Sequence, residues 1–391
     1  MPRIALMHDY FIQMGGAERV AEALHQIFPA APLYTTVALS HRLTPGLREA
    51  AIHTSFMQRM PAIESKFRQY FMLYPWAVES LNLSAYDLIL SSSSGYGKGV
   101  HRGKHAIHVC YCHTPMRWVW RYDDYAAREG FGTFSRVALP AMLSGLRWWD
   151  RRASRQPDYY LANSAVVAER IRQVYQREAV VIPPPIDVER FRPSTEADDY
   201  FLVLSRLVPY KRIDLAVQAC TKMKKELIVI GDGPDRQRLE AMAGKTVKFL
   251  GRQPDNIVNR YASRCRALLF PGEEDFGMVP LEINAAGRPV IAYRAGGALE
   301  TVVEGVTGLF FDQPTSASLA TALETFEHCQ WEPRWLRQHA EKFSYPIFAN
   351  RILAFLAQVA PHSCQHELKT INQALSEPIT AGKAREFSAA S

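Results

Sequence analysis

Short apolar runs alternate along this chain with stretches whose apolar positions recur every three or four residues. RIALMH (3–8) has the density of a buried strand, and GGAERVAEALHQIF after it sets Val20, Ala23, Leu24 and Ile27 at helical spacing. YDLILSSS (86–93), HAIHVCYCH (105–113) and YYLANS (159–164) are further strand runs. VVIPPPIDVERFRP (180–193) then interrupts the pattern, because three consecutive prolines fit neither a helix interior nor a central strand. Beyond this connector the alternation restarts. YFLVLSRL (200–207), ELIVIGDG (226–233), TVKFLG (246–251), CRALLFPG (265–272) and RPVIAYRAGG (288–297) predict strands, with IDLAVQACTKM, PDRQRLEAMAG, DNIVNRYASR and PLEINAAG as helices between them. The pattern predicts an α/β protein of two doubly wound, Rossmann-like domains, 1–185 and 186–345, facing a central cleft. FANRILAFLAQV (348–359) predicts a closing helix, so 346–360 is expected to pack back on the first domain. Residues 361–391, polar and without clear period, are expected to be a flexible tail.

Composition narrows the class. The 391 residues, 48% hydrophobic, suffice for two cores. The longest apolar run, FMLYPWAV (71–78), falls well short of the roughly 18 residues a membrane span needs. MPRIALMHDY reads as a first strand and not as a signal peptide. Six cysteines, at 110, 112, 220, 265, 329 and 364, are too sparse for a disulfide scaffold, which suggests a reduced, cytoplasmic protein. The net charge of +7 is uneven: residues 1–185 hold 21 Lys/Arg against 14 Asp/Glu, and 186–391 hold 25 of each. Two readings stand, scattered solvated arginines or a surface that meets an anionic partner. FMQRMPAIESKFRQYFMLYPW (56–76) mixes Arg59, Lys66 and Arg68 with Phe67, Tyr70, Phe71, Met72, Leu73 and Trp76. That mixture suits an anionic membrane surface, or else a core helix with one polar face. A nucleic-acid partner is not expected.

Candidate chemistry gathers at predicted strand ends, where ligands of open α/β sheets bind. Gly15-Gly16 opens the first helix, where a phosphate could meet free N–H groups. Gly231 and Gly233 follow a strand, but Arg236 stands where the dinucleotide fingerprint needs a third glycine. A nicotinamide cofactor is therefore not expected, while a turn beside a nucleotide base is. Arg206 and Lys211 lie just past another strand and suit a diphosphate. In FPGEEDFGMVPLEINAAGRPV, Phe276, Gly277 and Met278 form a loop before a helix starting at Pro280. N–H groups of Gly277 to Val279 would face an anion. Glu274 can reach sugar hydroxyls, and Glu282, in the helix's first turn, a ribose.

HAIHVCYCH invites comparison with a metal site. Residues two apart on a strand are about 6.6 Å apart, whereas two sulfurs on one zinc come within about 4 Å. Cys110 and Cys112 are read as packing residues, and His113, at the strand's end, as the functional one.

These residues carry a family resemblance. Glu274-Asp275-Phe276-Gly277-Met278-Val279-Pro280-Leu281-Glu282, the Arg206…Lys211 pair, Gly15-Gly16 and YRAGGALE (293–300) together resemble the retaining family-four glycosyltransferases of GT-B fold, over about residues 3–360. The family usually has Gly where Asp275 stands. SSSSGYGKGV…CYCHTPMRWVW is similar to a subgroup that builds bacterial surface polysaccharides, often as mannosyltransferases. The resemblance implies a nucleotide-diphosphate sugar as donor, with GDP-mannose the best guess, and a glycan or polyprenyl-diphosphate-linked acceptor. It implies a front-face reaction in which the leaving phosphate helps deprotonate the acceptor, while His113 and Glu274 hold the donor sugar. No Asp-x-Asp occurs, so no metal or other cofactor is expected, and Arg206 and Lys211 would neutralise the leaving diphosphate. A UDP-sugar donor, an epimerase or hydrolase of the same fold, and a non-catalytic sugar-nucleotide binder are the rival readings.

Overall fold

The structure, a computed structural model, describes residues 3–13, 15–120 and 133–376. Two units divide the chain. One runs through Pro183 and resumes at Pro346; the other is Pro184–Tyr345.

The first unit is built on seven parallel strands: β1 (Ile4–His8), β2 (Leu33–Thr35), β3 (Ile52–Thr54), β4 (Leu88–Ser93), β5 (Ile107–Cys112), β6 (Tyr159–Ala162) and β7 (Ala179–Val181). Their order is β3-β2-β1-β4-β5-β6-β7. The chain winds outward from β1 one way, then returns to β4 and winds the other way. The carboxyl ends of β1 and β4 therefore flank a topological switch point. Helices cover both faces, so central strands have no wet side. Ile4, Ala5, Leu6 and Met7 are all at most 2% exposed. This is why these strands read as continuous apolar runs and not as alternations. The same burial erases the contrast of buried and exposed positions in β5, where Val109, Cys110 and Tyr111 are all fully buried, while alternation still assigns faces: Cys110 and Cys112 share one cluster.

The second unit repeats the plan with β8 (Tyr200–Leu204), β9 (Glu226–Ile230), β10 (Val247–Gly251), β11 (Leu268–Phe270), β12 (Val290–Tyr293) and β13 (Gly308–Phe311), ordered β10-β9-β8-β11-β12-β13 and parallel throughout. Its core has two layers, one on each face. Tyr200 and Leu202 enter the layer with Ile228 and Leu281, while Phe201 and Val203 enter the other with Val217 and Leu319.

Several expectations need correction. The segment after 361 is not structureless through its first half: His362–Ser376 is a helix, with Cys364 and Leu368 buried in the first unit and Ser363 donating to Asp87 at 2.7 Å. Cys364, Leu368, Ile371 and Leu375 form a narrow stripe at helical spacing that a mostly polar composition concealed. Before it, the helix Tyr345–Val359 lies against the same unit, with Phe348 edge-on to Tyr111 at 5.9 Å. The helix expected to start at Pro280 begins two residues earlier, at Met278. Segment 56–76 is not one helix but a 3-10 turn, Phe56–Arg59, and short helices Ile63–Lys66 and Tyr74–Glu79. The helix Thr133–Ala153 was not anticipated.

Candidate active site

In the first unit, the residues at the switch point form one hydrogen-bonded web. His113 directly follows β5. Its N–H donates to Ser93 O at 2.9 Å, its carbonyl accepts from Asn163 Nδ2 at 3.0 Å, and its Nε2 is 2.8 Å from Ser92 Oγ. Burial pulls its pKa down to about 3, helped by nearby His8 and opposed by Asp9, so the ring is neutral at ordinary pH. Asp9, just past β1, is a residue the sequence reading missed. Its carboxylate accepts from Ser93 Oγ (2.9 Å), Ser94 N (2.7 Å), Ser94 Oγ (3.2 Å) and Gly97 N (2.6 Å). Four donors satisfy a buried charge and tie the β4 loop to β1. The signal was available in hindsight: an acid at a strand's end and a run of four serines elsewhere, joined only by strand order.

That loop is anchored a second time. Lys98, only 2% exposed, pairs with fully buried Asp150 at 2.5 Å. Asp150 also accepts from Trp120 Nε1 (2.7 Å) and the Tyr175 hydroxyl (2.9 Å). Burial alone would lower the Lys98 pKa, but the Asp150 carboxylate overrides it and the net shift is upward. Cys110 and Cys112 pack with Tyr160, Val167, Ile171 and Tyr175, where burial raises both thiol pKa values and disfavours thiolate.

Gly15 caps the helix Gly16–Ile27 as expected, but its N–H is taken by Glu18 Oε2 at 2.9 Å. That N–H is therefore not open to an anion.

In the second unit, the loops after β8 and β11 meet. Lys211 and Glu274 form a direct ion pair, with side chains only 14% and 19% exposed. Each was expected to face a different part of the ligand; the structure joins them. Arg206, exposed, reaches the Tyr210 hydroxyl at 3.3 Å. Gly233 works differently from expectation. A Cβ there would lie 2.2 Å from Leu207 O, so the glycine lets two backbones touch and thereby fixes the loop that carries Arg206. Gly277, at φ +88°, is the N-cap of the helix Met278–Ala285 and turns the chain so that the amides of Met278 and Val279 open the helix. Phe276 is 3% exposed and packs near Phe343 at 5.9 Å, which makes it core and not a ligand-facing ring. Glu282 is half-buried and lies one full turn into the helix, not in the first turn, because the helix starts early. Asp275 is not at a positive φ, so an aspartate is held there without the backbone strain that would demand glycine.

Two doubly wound parallel sheets, each with polar loops at its strand ends, define an α/β protein of the GT-B class. Residues 14–190 match the Glycosyltransferase Family 4 description and residues 186–343 match Glycosyl transferases group 1. The chain belongs to this family of GT-B glycosyltransferases. It is similar to the GDP-mannose-dependent alpha-(1-6)-phosphatidylinositol monomannoside mannosyltransferase of Mycolicibacterium smegmatis, at 28% identity over 47% of this chain and 56% of that protein. The chain spans about half the length of the curated relatives it matches. Among solved structures, Anabaena HepE in complex with UDP and glucose superposes with a TM-score of 0.66 at 18% identity, over 92% of this chain and 100% of that one. Sucrose-phosphate synthase from Thermosynechococcus elongatus gives 0.69 at 17% identity, over 92% and 99%. Those two likenesses are of fold.

Proposed function

We propose that this protein is a retaining hexosyltransferase that moves mannose from GDP-mannose to a hydroxyl of a lipid-linked glycan during surface-polysaccharide synthesis. The observation that carries the reading is the Lys211–Glu274 pair beside the loop of Arg206, with the helix start at Gly277 close in sequence. Arg206 and Lys211 supply fixed positive charge where a diphosphate leaves, and a helix N-terminus adds its dipole. Glu274 holds Lys211 in place and offers its second oxygen to a sugar hydroxyl. Neutral His113 gives a hydrogen bond to the sugar without a competing charge. The departing phosphate takes the acceptor proton, so no protein base is assigned. The curated relative that uses GDP-mannose supports the donor; a solved neighbour that holds UDP favours a UDP-sugar as the second reading.

A thermal-shift panel of GDP, UDP, GDP-mannose and UDP-glucose tests the donor. Stabilisation by UDP compounds and not by GDP compounds would reverse the choice. Product analysis with and without acceptor separates transfer from hydrolysis or epimerisation, and binding without turnover in either arm would leave a sugar-nucleotide binder. The reading includes metal independence, from the absence of Asp-x-Asp and the presence of two cations. Activity is expected to survive EDTA, and recovery of a chelated, inactive enzyme with manganese or magnesium would sink that part. Docking to an anionic leaflet is also part of the proposal. Phe56 and Trp76 are 47% and 62% exposed beside exposed Arg59, Lys66 and Arg68, while no helix among the described residues is long and apolar enough to cross a membrane.

A further inference from the structure

His113 lies in a chain of three side chains whose proton positions can be worked out from one fact. His8 Nδ1 is 2.9 Å from the carbonyl oxygen of Ser92 and 3.2 Å from its hydroxyl. A carbonyl can only accept, so His8 Nδ1 carries a proton whether His8 is neutral or charged. It cannot then accept from the Ser92 hydroxyl. Ser92 is 1% exposed, and among the described residues its hydroxyl has one other hydrogen-bond partner, His113 Nε2 at 2.8 Å. If that nitrogen were also protonated, the serine proton would be buried without an acceptor, which costs about 1–3 kcal/mol. The satisfied arrangement is single: Ser92 donates to His113 Nε2, and His113 carries its proton on Nδ1. Nδ1 takes no partner among the described residues and is not among the buried atoms lacking one.

The backbone of His113 is held as well. Its N–H and carbonyl are engaged by Ser93 and Asn163, so the ring has only its own two torsions to lose. Hydrogen bonds at Nε2 fix both tautomer and ring direction. The low pKa of the ring agrees, since only a neutral imidazole has a tautomer to choose.

We propose that His8 and Ser92 are positioning residues which lock His113 in the Nδ1–H tautomer, so that it presents a neutral N–H donor to an oxygen of the bound sugar nucleotide. This rests on the reading of His113 as a donor-side group. Neither His8 nor Ser92 touches the ligand; both act through the imidazole. A free histidine in water divides its proton between the two nitrogens, whereas here the relay has removed that choice before the ligand arrives.

The test is side-chain nitrogen NMR of the full chain labelled at histidine, with the His113 signals assigned by their loss in His113→Gln. In the parent protein Nδ1 is expected in the protonated range and Nε2 in the unprotonated range. Ser92→Ala is expected to move both signals toward averaged values and to lower kcat/KM about fivefold to tenfold, the effect of one hydrogen bond. His8→Ala is expected to disturb the tautomer in part. His8→Asn, whose amide N–H can stand where Nδ1–H stood, is expected to restore the tautomer that His8→Ala loses, which mere filling of space would not do. Thermal melts of each variant check the fold, and if Ser92→Ala fails to fold, the His8 pair decides. A proton on Nε2 in the parent, or an unmoved tautomer in folded Ser92→Ala and His8→Ala, would overturn the proposal. So would a shifted tautomer in Ser92→Ala with full activity while His113→Ala is inactive. If the tautomer is as stated but His113→Ala is fully active, the donor-side reading of His113 fails and the relay stands as a fact of structure.

Discussion

Glu274 and Glu282 are both acids of one motif, yet their surroundings differ. Glu274 neutralises a lysine that is itself mostly buried, so its charge is bound up with the position of Lys211. Glu282 is borne by a helix and lies a turn away from its start. Glu274→Gln keeps the shape and removes the charge. It is expected to lower kcat roughly a hundredfold, the scale seen when one fixed electrostatic stabiliser is lost. Glu282→Ala is expected to act mainly on KM for the donor, by the ~1 kcal/mol of a lost hydrogen bond, with kcat nearly kept. Steady-state kinetics distinguish the two, and equal losses in both parameters for both variants would refute the division. Both acids were legible in sequence, since the motif's spacing is local. The pairing of Glu274 with Lys211 was not, because the two loops meet only through adjacency of β8 and β11.

At the scale of elements, β5 is the clearest case of burial acting on chemistry. His108 is fully buried within it, and its pKa is pulled from 6.5 to about 3 by desolvation, with a smaller push from Arg102. His113 shifts the same way. The unfolded chain takes up these protons near pH 6.5 and the folded one does not. They carry no penalty above pH 6.5, where both states are neutral, and destabilise the fold progressively as pH falls from there toward 3. Each histidine costs about 1.4 kcal/mol per pH unit inside that window. Urea unfolding is therefore expected to show a lower midpoint at pH 5 than at pH 7.5. In His108→Leu the difference should shrink by on the order of 2 kcal/mol; an unchanged pH slope would show that His108 does not stay neutral in the fold. The last helix offers a second check. Leu368 is 3% exposed, so Leu368→Ala is expected to destabilise by about 2–3 kcal/mol. A segment without structure would show no change in the thermal melt.

For the whole molecule, the excess positive charge of residues 1–185 becomes a statement about surfaces. Arg59, Lys66 and Arg68 are exposed, while Phe67, Tyr70, Phe71, Met72 and Leu73 beside them are partly buried against the core. Most of the aromatic content of 56–76 is therefore packing, and Phe56 and Trp76 are the rings left outside. Each cation near an anionic leaflet contributes about 1 kcal/mol, so reversal of all three is expected to remove most co-sedimentation with anionic vesicles at low salt. Binding unaffected by the reversal, or no binding by the parent protein, would count against this surface.

The sequence by itself determined the kind of fold. Dense apolar runs separated by helical spacing demand strands buried on both faces, and a triple-proline connector divides them into two series. It also marked candidate site residues, since Gly277, Glu274, Glu282, Arg206 and Lys211 stand out by short local spacing. Only the tertiary structure decided which of these groups meet. Asp9 finds Ser93 from 84 residues away, His8 finds Ser92 at the same separation, and Lys98 finds Asp150 on a helix that no strand pattern announced. Periodicity records whether a side chain is buried, a property of its own element. Partnership depends on the order in which strands lie side by side, and β1 and β4 are neighbours in the sheet while being far apart in the chain.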